Sequence, residues 1–205
     1  QKMSSDEGSR YTQKGGKAIC ISCTNSINAQ AVTNDIAINK DREMFAIKIE
    51  ENSKRRYVSP TENDKKLFQN ASKLLQSNIK EFKKLDHIPF EEIKPSHQDT
   101  LGHFGIKNWS EFFSNRQLLS LCTLVKNIEK FCTTLSDKEY AKVLSIYLGT
   151  LLAKHMSFNC IGCGFSATRE TIQHSLFLRR PAFVYNHAEL NPFKKISGSL
   201  INMER

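Results

Sequence analysis

Two short cysteine pairs, Cys20-x-x-Cys23 and Cys160-x-x-Cys163, are the residues of this sequence best spaced for chemistry. Two thiolates separated by two residues in a tight turn approach a tetrahedral metal at compatible angles, so each pair can grip one edge of a zinc site. A closed structural site needs four ligands, which Cys20, Cys23, Cys160 and Cys163 together supply. His155 and His174 are possible substitutes, but a single histidine near an apolar helix face reads first as a hydrogen-bonded residue. Cys122 and Cys132 fall on an apolar helical stretch and read as small buried hydrophobes. Six cysteines in 205 residues are too sparse for a disulfide scaffold, which ranks metal above disulfide.

Other chemistry is thinly represented. Gly162-x-Gly164 has no third glycine at the right distance for a phosphate or cofactor loop, and Gly102 and Gly105 lie in a connecting segment. His97, Asp99 and His103 form a His and carboxylate group that a metal-dependent enzyme would use, yet no base stands at a fixed helical offset from them. The net charge of +9 favours an anionic partner, nucleic acid first, because clustered Lys and Arg release counterions from phosphates. Lys65, Lys66, Lys73, Lys80, Lys83 and Lys84 share the outer side of one amphipathic stretch, which fits a solvated face and a phosphate-facing surface alike. No apolar run approaches the roughly 20 residues of a membrane helix. The opening QKMSSDEGSR also lacks the apolar centre of a signal peptide. No membrane partner and a cytoplasmic location are the expectation.

The elements that must position these residues divide the chain into a flexible lead-in over 1–18, a zinc-ribbon-like turn and β-hairpin over 19–60, and a helical domain over 61–205 that ends in an extended segment. Met44 to Glu50 alternates, with Phe45, Ile47 and Ile49 on one face, and Arg56 to Val58 follows a polar turn as a second strand. From Thr61 to Leu85 the period changes, with Leu67, Ala71, Leu74, Asn78 and Phe82 flanked by Leu75 and Ile79. Thr61 and Asp64 form a capping box after Pro60. Residues 86–108, with Pro89 and Pro95, read as a connection. Ser114 caps a helix from Asn115 to Phe131 with Leu118, Leu121, Cys122, Val125 and Ile128 inward. Ser136 caps another from Asp137 to Met156 with Tyr140, Val143, Leu144, Tyr147, Leu148, Leu151 and Leu152 inward. A last helix is expected from Thr168 to Leu178, ending before Pro181, and then an extended stretch to Tyr185. The fold class is α+β, mainly helical. Trp109 and Arg116 suit a helix entrance as packing devices.

Several strings carry a resemblance. "GIKNWSEFFSNRQLLSL", Gly105 to Leu121, resembles a segment of the large prokaryotic adenine-specific DNA methyltransferases that begin with a domain of unknown function. Gly105, Trp109, Phe113, Arg116, Gln117, Leu118 and Leu119 fall on that pattern in register. Arg169-Glu170 through "AELNPF", Ala188 to Phe193, resembles a second segment, with Tyr185 where Trp is usual. "GKAICISCTNSI" and "RRYVSPTENDKKLF" resemble two more, so the resemblance spans about Gly16 to Leu200. The sequence departs from the family at Asn186, which replaces Asp, at Leu178, which stands near its second Arg, and at Ser114-Asn115, which replace Thr-Pro. Cys160 and Cys163 lie where the family has other residues.

The resemblance implies a non-catalytic segment of an S-adenosylmethionine-dependent enzyme, with the cofactor loop upstream, the Asp-Pro-Pro-Tyr string downstream, and this chain between them for DNA recognition or as scaffold. S-adenosylmethionine would then bind only in the longer parent, and both chain ends read as cuts through it. The implied partners are DNA and the remainder of the methyltransferase. Lys65, Lys66, Lys73, Lys80, Arg116 and Arg169 are the candidates to contact phosphates, the two arginines alternatively buttressing the core. Asn191-Pro192-Phe193 is one proline short of a catalytic string and reads as structural, with Glu189, Asn191 and Phe193 as possible residues lining the catalytic cleft. In the family the first cysteine pair has its partners upstream, which would leave Cys20 and Cys23 as half a site and Cys160 and Cys163 as free thiols. The alternative function is a stand-alone zinc-stabilised module that binds nucleic acid or protein.

Overall fold

The computed structural model describes residues 12–13, 17–20, 22–39, 42–51, 54–94, 101–175 and 181–203. Among them the chain forms a mixed α+β, mainly helical fold with three small antiparallel sheets. The first sheet joins β1 (Thr12–Gln13), β2 (Lys17–Ile19) and β3 (Ser26–Ile27), with Ala18 opposite both Thr12 and Ile27. Part of the expected lead-in is therefore paired strand, because the turn after Cys20 brings the chain back and gives β2 a ladder partner on each side. The rest of residues 1–18 lies outside the described residues.

Within the span expected as turn and hairpin, α1 (Ala29–Asn39) is an addition. Asn28 caps it, its Oδ1 accepting from the Ala31 amide at 2.7 Å. The β-branched Val32, Thr33, Ile36 and Ile38 lower its helix propensity and hide it from a reading of pattern. Gly105, at φ +72°, abuts this helix: a Cβ there would lie 2.7 Å from the Ala37 carbonyl oxygen, so only glycine allows the approach. The expected hairpin is present as β4 (Ile47–Glu51) and β5 (Lys54–Val58), in register from Ile47 opposite Val58 to Glu51 opposite Lys54.

The long helix α2 (Glu62–Lys84) starts at the expected Thr61 and Asp64 capping box. Its inward stripe sits one position round from the expected one. Leu75 and Phe82 are buried at 1% and 3% exposure, whereas Leu67 and Leu74 are 56% and 53% exposed. Phe68, Ala71 and Ile79 complete the inner face. The described part of the connection after α2, residues 86–94 and 101–108, places Ile88, Ile93, Leu101 and Ile106 in the core. The Ile93 amide donates to the Lys107 carbonyl at 2.8 Å, so the connection pairs with itself and needs no sheet. His97 and Asp99 lie outside the described residues, and His103 is exposed.

Helix α3 (Asn115–Thr134) begins at Ser114 in a capping box with Gln117 and runs three residues past the expected Phe131. Helix α4 (Lys138–Phe158) is capped by Asp137, whose side chain accepts from the Tyr140 amide at 2.9 Å, and not by Ser136. The expected inward set is half right. Leu152 is buried and Leu144, Leu148 and Leu151 are partly buried, but Tyr140, Val143 and Tyr147 are 57%, 64% and 56% exposed. The helix is apolar around much of its circumference, so periodicity does not single out the packed face.

The helix expected from Thr168 is replaced, over its described part, by a hairpin of β6 (Phe165–Ser166) and β7 (Thr171–Ile172). Tertiary ties explain the difference. Glu170 takes φ +51°, its carboxylate accepts from Arg55 Nη1 at 2.9 Å and its carbonyl from Lys48 Nζ at 2.6 Å. The turn, unlike a helix, offers β4 and β5 that carbonyl. Residues 176–180 are outside the described residues, and Pro181 to Tyr185 is non-helical, with the Val184 amide donating to the Ile161 carbonyl.

One core cluster unites α2, the connection, α3, α4 and the Cys160 turn through Leu75, Phe82, Ile93, Leu121, Leu152 and Ile161. The register of α2 is testable. Leu75→Ala should cost about 2–5 kcal/mol by loss of burial and a cavity, whereas Leu74→Ala should cost less than about 1 kcal/mol. Urea unfolding of the two variants decides it, and equal losses would contradict this packing.

Candidate nucleic-acid interface

The outer face of α2 follows from its sequence period. Lys66, Lys73 and Lys80 recur every seven residues, which stacks them along one side of the helix about 10 Å apart. All three are exposed. The carboxylates of the same helix are occupied: Glu62 binds Lys65 at 3.1 Å and Glu81 binds Lys126 at 2.6 Å. Asp64 accepts from the Thr61 amide at 2.8 Å, and its bond from the Thr61 hydroxyl pulls its carboxyl below the usual range. Lys66, Lys73 and Lys80 therefore carry uncompensated charge among the described residues, while Lys65 is neutralised in place. Gln69 and Asn70 join Lys66 and Lys73 around a shallow depression, adding neutral hydrogen-bonding groups to the charged line.

The two arginines are placed differently from the lysines. Arg116 donates from Nε to Glu189 Oε2 at 2.6 Å and lies over the Phe68 ring at 5.1 Å. Glu189 also accepts from the Ser114 hydroxyl, so α3's cap, the Arg116 fork and the C-terminal segment meet at one carboxylate. Arg116 thus acts as the packing device at the helix entrance, with α2 on its other side. Arg169 is exposed in the β6–β7 turn. Asn191 accepts from the Phe193 amide at 2.9 Å, a local turn that explains the Asn-Pro-Phe string structurally, and Phe193 is 65% exposed.

Behind the Arg116 and Glu189 pair lies a buried polar network. Gln117 Nε2 donates to Asn159 Oδ1 at 3.1 Å, and the Leu190 amide donates to the same oxygen at 3.0 Å. Asn159 Nδ2 faces His155 Nε2 at 3.3 Å, and His155 Nδ1 faces the Gly198 carbonyl at 2.9 Å. This set is satisfied by one neutral tautomer, Nδ1–H donating and Nε2 accepting. Gly198 takes φ +87°, and a Cβ there would strike the Phe158 side chain at 2.6 Å. Gln117 lay within a recognisable string. Asn159 did not, and its only sequence signal is a polar residue closing an apolar helix.

The cysteine pairs occupy two environments. Cys20 opens the β2–β3 turn, where the backbone N–H groups of Cys23 and Ser22 point at its sulfur and pull the thiol down. Cys23 is exposed. Cys160 and Cys163 are buried, with sulfurs 3.5 Å apart, inside the core cluster. The hydrogen bond from Cys163 lowers the Cys160 thiol, and the same contact and burial hold Cys163 protonated. No three His, Cys, Asp or Glu side chains among the described residues gather around a common point, so the structure does not join the four cysteines into one site. His174 packs its ring edgewise on Phe158 at 5.6 Å. Cys122 is a core residue, as expected, with burial pushing its thiol up to about 11.

Comparison with protein-family models, curated proteins and solved structures finds no match to this chain. Among the described residues, no helix is long and apolar enough to cross a membrane.

Two histidines, His155 in the network and His187 near Glu189, are expected to make stability depend on acid. Burial lowers the His155 pKa below 6.5, and burial together with the nearby Arg42 does the same for His187. An imidazole depressed in the fold takes up protons more readily when unfolded, so stability is full above the unfolded value and falls as pH drops below it. Thermal midpoints measured between about pH 7 and 5 should decline, and His155→Gln should flatten the decline. A slope that survives in both His155→Gln and His187→Gln would assign it elsewhere.

Proposed function

We propose that this chain is a non-catalytic, DNA-contacting module of an adenine-specific DNA methyltransferase, with the α2 lysine line as its phosphate-facing surface. The observation that carries the reading is the line itself: Lys66, Lys73 and Lys80 are exposed, evenly spaced and without a carboxylate partner among the described residues, while the carboxylates beside them are engaged. The resemblance supplies the enzyme class. Its strings are also neighbours in space, since Glu189 of one binds Arg116 of another and Glu170 binds Arg55 of a third. A scaffold role for these pairs and a contact role for the lysines are compatible with one segment of a longer enzyme, S-adenosylmethionine being bound by the remainder.

Fluorescence anisotropy with a short duplex tests the proposal. Binding should weaken steeply with salt, and Lys66→Gln, Lys73→Gln and Lys80→Gln should each reduce the log–log salt slope by about 0.9. Duplex affinity that is unchanged in the triple variant removes the lysine line from the interface.

A second reading, a zinc-stabilised interaction module, is favoured by the turn at Cys20. Two N–H groups directed at one sulfur stabilise the thiolate that a metal needs, so Cys20 and Cys23 suit half of a tetrahedral site. Under it the purified chain carries zinc, and chelation both exposes Cys20 to alkylation and unpairs β1–β3. Metal-free protein with the same amide exchange protection in β2 would rule this reading out.

A further inference from the structure

We propose that the outward face of α4 pairs two copies of this chain, antiparallel, about a two-fold axis near Ile146 and Tyr147. The face is too apolar for a solvated helix: Tyr140, Val143, Ile146 and Tyr147 are 57%, 64%, 63% and 56% exposed, with Val143 three residues after Tyr140 and Ile146 and Tyr147 three and four after Val143. They occupy the first half of the helix. In the second half the same side carries Gly149, Thr150 and Ala153, all exposed, and a Cβ added at Gly149 would meet nothing within 4 Å.

This polarity selects the partner. Parallel copies would set Tyr140 and Tyr147 each against its own copy and leave a gap at Gly149 and Ala153. Antiparallel copies put Tyr140 opposite Ala153, large against small at both ends, with Val143 opposite the similarly sized Thr150 and Ile146 opposite Tyr147, apolar on apolar, at the axis. Charge agrees with that register. Glu139 of one copy comes opposite Lys154 of the other, twice by symmetry, and both residues are exposed. Lys138 and Lys142 lie along one edge of the face, where they remain in solvent. The self-complementary order of size and charge is what commits the face to a second copy of this chain. No residue of the α2 lysine line takes part, so the inference is independent of the DNA-contact reading.

Sedimentation velocity of the full chain over a range of concentrations tests it. The wild type should show a monomer–dimer equilibrium, and Ile146→Glu should weaken association at least about tenfold by burying a charge at the axis. The register has its own test. Glu139→Lys and Lys154→Glu should each weaken the dimer, and the two together should restore it, because the swapped charges again face each other. All these positions are exposed in the single chain, so the thermal midpoint at low concentration serves as the folding control. A wild type that stays monomeric throughout overturns the proposal. A double charge swap that fails to restore a dimer seen in the wild type overturns the antiparallel register.

Discussion

The packing of the helical part depends on the buried side chain of Asn159. Its carbonyl oxygen accepts one hydrogen bond from Gln117 at the start of α3 and one from the Leu190 amide of the C-terminal segment. Its amide meets His155 one turn back in α4, and His155 reaches the Gly198 carbonyl. Three segments distant in sequence are therefore tied by groups with no access to water. A buried polar group left unpaired costs more than a paired one contributes, so the arrangement is close to all-or-none. The apolar cluster around Leu75, Leu121 and Ile161 supplies most of the burial, but apolar contacts alone tolerate sliding. The Asn159 network sets the register of α3 against α4 and brings Glu189 to Arg116.

Those dependencies explain which elements could be read from the sequence. Helices α2 and α3 were legible because their caps are local: Thr61 with Asp64, and Ser114 with Gln117, lie three residues apart and need no tertiary partner, whereas α4 was legible from its apolar length although its cap is Asp137 and not Ser136. The faces were less legible. In α4 apolar residues surround the axis, and burial is decided by where α3 lies, which no local period encodes. The stretch after Thr168 carries helix-like spacing, yet Glu170 is taken by Arg55, more than a hundred positions earlier in the chain. Long-range pairing overrides a weak local preference. Helix α1 shows the converse, a local cap at Asn28 on a segment whose β-branched residues disguise it.

The candidate interface divides along the same line. The lysines of α2 were readable because a seven-residue repeat places charge on one side of any helix, whatever the fold. The place of Arg116 at a helix entrance was readable too, but its partner was not, since Glu189 becomes adjacent only after the C-terminal segment has docked. The cysteines are intermediate. The spacing reveals two pairs, but only the fold separates a surface turn with Cys20 partly buried and Cys23 exposed from the core position of Cys160 and Cys163. Burial makes the second pair part of the packing, with Cys163 kept protonated by its neighbour and by the apolar surroundings.

A division of labour between the basic residues follows. Arg55, Arg56 and Arg116 pair with Glu170, Glu51 and Glu189, so these guanidinium groups are spent on joining strands and segments. Planar forks that bond a carboxylate from a fixed direction suit that task. The positive charge on α2 that has no carboxylate partner among the described residues is left to lysines, compact and hydrated groups on flexible stems. Such groups follow a phosphate backbone without demanding one orientation, and they do not read base edges as a bidentate arginine does. A DNA contact through Lys66, Lys73 and Lys80 would accordingly add affinity and set position along the duplex while leaving the choice of sequence to other groups. The same chemistry makes that affinity strongly dependent on salt, whereas the half-buried Arg116 and Glu189 pair beside it is screened much less.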